Sequence, residues 1–119
     1  MTILELPYPP SVNSIWRFAG RSAYISKEYA AWKKQADVSF LEQKRGLKPI
    51  LGPYRVTMTF SRRKRTKTSD LDNRIKCIAD ALQRFELIKN DNLCEELRAK
   101  WGNVDGCLIE LEHYYELTQ

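Results

Sequence analysis

Histidine is almost missing from the 119 residues: His113 is the only one. That argues against histidine-based nucleophilic catalysis, which needs an imidazole beside the nucleophile. Cysteine is scarce too. Cys77, Cys94 and Cys107 are odd in number and widely spaced, with no C-x-x-C pair. A zinc centre would need all three to converge with the one histidine, so reduced, partly buried thiols are the expectation. No apolar run approaches the roughly 18 residues of a membrane span. The opening "MTILELPYPP" has neither the basic start nor the apolar core of a secretory signal. Repeats, low-complexity tracts and linkers are absent as well. What remains is one domain over residues 1–119, with no membrane and a cytoplasmic home.

The surplus is positive charge. Twenty Lys and Arg against fifteen Asp and Glu give +5, a balance that permits a nucleic-acid partner without proving one. The cations cluster. "RRKRTK" places Arg62, Arg63, Lys64, Arg65 and Lys67 in six positions, and Asp70 and Asp72 follow around Leu71. Cations attract phosphate and carboxylates repel it. A divalent metal reconciles the two, because it takes carboxylates as ligands and then binds phosphate itself.

Periodicity gives the frame. "TILEL" alternates and ends at the Pro-rich corner "PYPPS", so it reads as a first strand. "SVNSIWRFAGRSAYIS" is a loop or a hairpin around Gly20, and Ser26 caps the helix that follows. In that helix Tyr29, Trp32, Ala36 and Phe40 recur at three- and four-residue spacing, and Gly46 is its stop. "YRVTMTF", residues 54–60, is a strand rich in β-formers. Leu71, Ile75, Ile78, Leu82 and Phe85 make one apolar stripe at period 3.6, the docking face of a second helix. "LCEELRAKWGN" and "CLIELEHYYEL" flank "VDG" and read as a closing hairpin. The fold class is α+β: a mixed sheet of about four or five strands with two main helices on one face.

Two readings of "SDLD" stand side by side. Ser69 with Asp72 fits a capping box, acids in a first turn suit the helix dipole, and Asp72 with Lys76 is an ordinary i,i+4 pair. In the metal reading Asp70 must lie at or before the first turn, because two helical residues two apart point about 200° apart. Asp72, Lys76 and Asp80 then share the polar face. Asp91, in "IKNDN", joins them only if the loop folds back along the helix or the next strand runs beside its start.

"DLDNRIKCIADAL", with "NDN" following, resembles the core motif of the RusA family of Holliday-junction resolvases, and "LPYPPSVNS" resembles that family's opening strand and Pro-Pro-Ser-x-Asn turn. The resemblance spans nearly the whole chain. It implies a small cytoplasmic endonuclease of a kind common in phages and prophages, in a bacterial host. It also implies a homodimer that uses Mg2+, with Mn2+ as a substitute, to cut four-way DNA junctions in recombination and repair. By position, Asp70, Asp72 and Asp91 match the family's metal-binding carboxylates and Lys76 its catalytic lysine. Asn73 matches the motif asparagine, a structural or supporting position, and Asn13 the turn asparagine near the substrate. Ser69 and Asn90 depart from the family pattern without removing a proposed ligand.

Magnesium prefers hard oxygen ligands and keeps several waters, so aspartates on an open surface suit it. Lys76 would stabilise charge developing on the phosphate or the leaving oxygen. The five cations of the loop contact phosphates, and Arg17, Arg21, Lys33 and Lys34 extend that surface. Trp16 and Phe18 beside Arg17 either stack on bases at a junction centre or pack in the core. Two rival functions remain: a DNA-binding module without catalysis, and a metal nuclease acting on flaps or forks.

Overall fold

Alternation in "TILEL" becomes β1 (Thr2–Leu6), with Thr2, Leu4 and Leu6 buried and the residues between them exposed. The computed structural model describes residues 1–20 and 22–115. A hairpin follows, β2 (Trp16–Ala19) and β3 (Ser22–Ile25), turning at Gly20 with φ of 62°. Ser26 then caps α1 (Lys27–Gln43): its hydroxyl accepts from the Tyr29 amide. The spacing of Tyr29, Trp32 and Ala36 buries all three. The helix passes into a short 3-10 turn, Lys44–Gly46.

β4 (Tyr54–Ser61) carries Tyr54, Val56, Met58 and Phe60 on the core face, while Thr59 and Ser61 on the opposite face are also buried. A strand covered on both faces belongs at the centre of a sheet. After the basic loop comes α2 (Asp72–Arg84), which seats Cys77, Ile78, Ala81 and Leu82 in the core. β5 (Cys94–Gly102) and β6 (Cys107–His113) complete the main sheet in the order β1-β6-β4-β5. β4 runs parallel to β5 and antiparallel to β6. Among the described residues the fold is α+β, with a mixed four-stranded sheet, a separate two-stranded hairpin and two α-helices. Register aligns the core in rows across the sheet: Leu4 with Ile109 and Met58, Leu6 with Cys107 and Phe60.

This order corrects one expectation. β5 and β6 do not pair with each other; β4 lies between them. A short connection normally favours a hairpin, but β4 has apolar side chains and backbone groups to satisfy on both edges. The connection from Asn103 to Gly106 crosses its end, and the Ser61 amide donates to the Gly106 carbonyl at 2.9 Å. Glu116 and Leu117, the end of the last predicted strand segment, lie outside the described residues.

Gly106 also meets the first strand. A Cβ there would lie 2.3 Å from the Leu6 carbonyl oxygen and 3.1 Å from Pro7 Cα, both backbone atoms. Gly106→Ala is expected to destabilise the fold by about 1–3 kcal/mol, the usual cost of overpacking at a site that cannot yield. Urea unfolding checks it, and an unchanged midpoint would mean that the crossing relaxes freely.

The Pro-rich corner is held by both helices. Prolines offer carbonyls but no amide donor, so their oxygens take donors from elsewhere. Trp32 Nε1 donates to Pro7 O at 2.9 Å, Arg74 Nη1 to Pro9 O at 3.0 Å and Cys77 Sγ to Pro10 O at 3.6 Å. The Arg74 guanidinium also lies over the Tyr8 ring. Burial pushes the Cys77 thiol up to about 11, so it remains a neutral donor. Cys107 is raised by burial as well, and all three cysteines are free. The corner thereby fixes the Val12–Ser14 turn against α2.

Candidate active site

The segment before α2 closes on itself. Ser69 Oγ accepts from the Thr66 amide at 2.9 Å, and the Ser69 amide donates back to Thr66 O. The serine hydroxyl is thus committed to a turn, two residues short of the helix. Leu71 occupies the N-cap position in the αR conformation with no side-chain cap. The expected Ser69–Asp72 capping box is not formed. The expected Asp72–Lys76 pair is not formed either: Lys76 Nζ donates to Asp80 Oδ1 at 3.2 Å.

Asp70 and Asp72 are consequently free of the structural duties that their sequence positions suggested. Both are exposed. Asp70 Oδ2 accepts from Asn73 Nδ2 at 3.3 Å, so the motif asparagine steadies the first carboxylate. Asp72 stands in the first turn of α2, where the positive end of the helix dipole favours anionic groups. Among the described residues it makes no ion pair.

From Asp72 one polar stripe runs down α2 through Lys76, Asp80 and Gln83, at spacings of four, four and three. Asp91 begins a 3-10 turn (Asp91–Leu93) and is tied in twice through its backbone. Its amide donates to Gln83 Oε1 at 3.3 Å, and its carbonyl accepts from Tyr54 Oη at 3.4 Å. The loop therefore folds back onto the last turns of the helix, and the Asp91 charge is felt as far up as Lys76. Asp72 and Gln83 are separated by about 16 Å of helix axis at 1.5 Å per residue. Asp70 and Asp72 share one end of the stripe, and Asp91 flanks the other. Among the described residues no three His, Cys, Asp or Glu side chains gather into a metal cage.

Lys76 lies between the two ends. Its pKa is raised, first by the hydrogen bond from its ammonium to Asp80 and then by the charge of that carboxylate, with a lesser contribution from Asp91. An ammonium held in this way stays charged through neutral and mildly alkaline pH. It can stabilise an anion but cannot serve as a neutral base. Asp80 is the residue that sequence reasoning left out of the site. Its signal was the i,i+4 spacing to Lys76, which the equally spaced Asp72 obscured.

The basic loop is docked rather than free. Arg62–Lys64 form a 3-10 turn; Arg62 Nη2 donates to Trp101 O at 3.3 Å, Arg63 pairs with Asp105, and the Arg65 guanidinium covers the Trp101 ring. Lys64 and Lys67 have no such partner among the described residues. Asn13 is exposed on the turn that packs against α2. Arg17 reaches Glu28 at 3.9 Å on the hairpin side. Trp16 and Phe18 do not enter the core: they are 53% and 75% exposed. Arg21 lies outside the described residues.

Exposed carboxylates at a helix start, a charged lysine one turn further and a docked cationic loop leading into them make a surface suited to phosphodiester chemistry. A protein-family model described as Endodeoxyribonuclease RusA matches residues 7–112. No curated protein matches the chain.

Proposed function

The chain belongs to the RusA endodeoxyribonuclease family, and from that premise we propose that it is a magnesium-dependent resolvase of four-way DNA junctions, working as a homodimer. Membership makes it an endodeoxyribonuclease. The observation that carries the finer reading is the freedom of Asp70 and Asp72: neither caps α2, and both stand exposed where the cationic loop delivers a backbone.

The donor set suits a hard divalent ion. Asp70 and Asp72 offer carboxylate oxygens on an open surface, and magnesium is commonly held by one or two carboxylates with waters and substrate phosphates filling the rest. Asp91 is the third carboxylate of the proposed set, on the loop that folds back along α2, with its charge acting on Lys76. When bound, the ion supplies Lewis-acid stabilisation of the scissile phosphate and a more acidic water.

The remaining work falls to side chains. Lys76, kept protonated by Asp80, offers positive charge to the phosphate or to the oxygen leaving as its bond to phosphorus breaks. Asn73 orients Asp70. Arg62, Arg63, Lys64, Arg65 and Lys67 hold the backbone without reading sequence. Trp16 and Phe18, exposed beside Arg17, offer faces for bases opened at a junction centre. One site cuts one strand, so a two-fold dimer matches a substrate that needs two symmetric cuts. Among the described residues no helix is long and apolar enough to cross a membrane. A bacterial cytoplasm, in a phage or prophage setting, is the location this reading carries.

Labelled four-way junction, flap, fork and linear duplex, each incubated with magnesium or with EDTA, test the proposal. Paired symmetric cuts in the junction alone, abolished by EDTA, are expected. Preferred cutting of flaps or forks would reassign the substrate, and junction binding without cutting under any divalent ion would leave a binding module.

The loop has its own test. Replacing Arg62, Arg63 and Lys64 with alanine should weaken binding to every DNA and reduce the log–log salt slope by about 2 to 3, one lost counterion release per phosphate contact. Cleavage at saturating protein should survive. An unchanged slope with lost cleavage would assign these cations to the chemistry.

A further inference from the structure

The two edges of the main sheet are treated differently. At β1, the Gln43 amide from the end of α1 occupies the free edge: its Nε2 donates to Glu5 O at 2.7 Å and its Oε1 accepts from the Glu5 amide at 2.9 Å. That edge is blocked at Glu5. β5, the other edge, is nine residues long, and among the described residues no side chain hydrogen-bonds its backbone between Leu97 and Lys100. A long open edge is a template for another strand.

We propose that β5 pairs antiparallel with β5 of a second copy, in the register that sets Leu97 against Leu97, joining two four-stranded sheets into one. This deepens the homodimer of the proposed function, and rests on that reading, by assigning the dimer its surface.

Two arguments fix the register. The first is backbone parity. The register with β4 skips Glu95, and from Glu96 to Gly102 alternate residues direct both amide and carbonyl toward β4 while the intervening ones direct theirs outward. Residues facing each other in an antiparallel pair must agree in this respect, so the two-fold axis passes through a residue, never between two. The second is charge. An axis at Glu96 opposes that glutamate to itself, an axis at Arg98 sets Glu96 against Lys100 but opposes that arginine to itself, and an axis at Ala99 sets Arg98 against Lys100. Only an axis at Leu97 among these sets Glu96 against Arg98 of the other copy, twice by symmetry, with no like charges directly opposed.

The side chains are placed for this. Register with β4 puts Glu96 and Arg98 on one face of the sheet and Leu97 on the other, the face of the helices. Leu97 is 43% exposed, an apolar side chain at the proposed axis. Arg98 Nε already reaches Glu96 Oε1 at 3.1 Å within the strand while its side chain remains 72% exposed. In the dimer each Glu96 lies between Arg55 of its own chain, at 3.7 Å, and Arg98 of the other. β1 lacks such a match: centred on Leu4, it would set Ile3 against Glu5.

Charge reversal tests the register. Arg98→Glu alone and Glu96→Arg alone each turn two attractions into repulsions and should weaken the dimer by about tenfold in sedimentation. A one-to-one mixture of the two variants should restore it, because both cross-pairs are then of opposite sign. Far-ultraviolet circular dichroism verifies that each variant is folded. In a Cys94→Ser background, Leu97→Cys should oxidise to a thiol-reversible dimer, since directly opposed strand residues lie within disulfide reach; Ala99→Cys should not. A wild-type dimer with neither rescue in the mixture nor cross-linking at position 97 overturns the edge pairing and leaves the resolvase reading intact. A monomer throughout overturns edge and homodimer together, while junction cleavage judges the nuclease separately.

Discussion

Asp70→Asn, Asp72→Asn and Asp91→Asn should each lower junction cleavage on the order of 10³-fold, the upper range for losing one group that stabilises charge in a transition state. Junction affinity should stay level or rise. Each substitution removes a negative charge that repels phosphate, and Coulomb interactions at such short range are not negligible even near water. Opposite effects on rate and affinity are the signature to look for, because general misfolding lowers both. Asp70 and Asp72 are exposed and neither caps α2, so their loss leaves the fold little disturbed. Asp91 is held by its backbone, through Gln83 and Tyr54, so its side chain is equally free to be changed. Near wild-type cutting by Asp91→Asn would confine the metal site to the start of α2. Single-turnover cleavage and gel-shift titration with the same labelled junction measure both quantities.

Lys76→Ala should slow the chemical step about 10²-fold with little change in affinity, as expected for a cation whose interaction is stronger in the transition state than in the ground state. Its raised pKa sharpens the expectation. Lysine that titrated near neutrality would impose its own pH dependence on the rate. Here the folded pKa lies above the ordinary lysine value, so the ammonium persists as pH rises and is lost only above it. The pH–rate profile of the wild type should therefore show no Lys76 limb below pH of about 10. Asp80→Asn removes the partner that raises this pKa, and should cost less than Lys76→Ala because the ammonium remains in place. Equal losses of rate and affinity in Lys76→Ala would make it a binding residue. No effect on either would leave the pair with Asp80 a surface ion pair and nothing more.

Much of this arrangement was legible in advance, element by element. Ser26 announced its helix because an N-cap acts within three residues, and the apolar stripe from Leu71 to Phe85 announced α2 because burial enforces the helical period. The cap of α2 was not legible. Ser69 had the spacing for one, but Thr66 lay equally close in sequence, and a local turn took its hydroxyl first. The same competition hid Asp80, since Lys76 has carboxylates four residues away on both sides and spacing cannot choose between them. The pairing of β5 with β6 failed for a different reason. Hairpin signals are read from a handful of neighbouring residues, whereas the place of β4 between them depends on partners dozens of positions away. The distance of Asp91 from Asp70 was foreseeable as a difficulty, and the loop lessens it by folding back onto Gln83, with the Asp91 charge acting on Lys76.

The interleaved sheet also governs when the protein can first exist as a nuclease. β1 aligns Thr2 with Leu111, and among the described residues β6 alone bridges β1 to β4. On the ribosome β1 must wait for β6, which lies far later in the chain. Closing a loop of that span is entropically expensive, and contacts so distant in sequence slow folding relative to local ones. α1 and α2 can flicker into shape during synthesis, but the platform beneath them forms only once residues near 113 have left the exit tunnel. A truncated product lacking β6 therefore leaves β1 without a pairing strand and β4 hydrogen-bonded along one edge only.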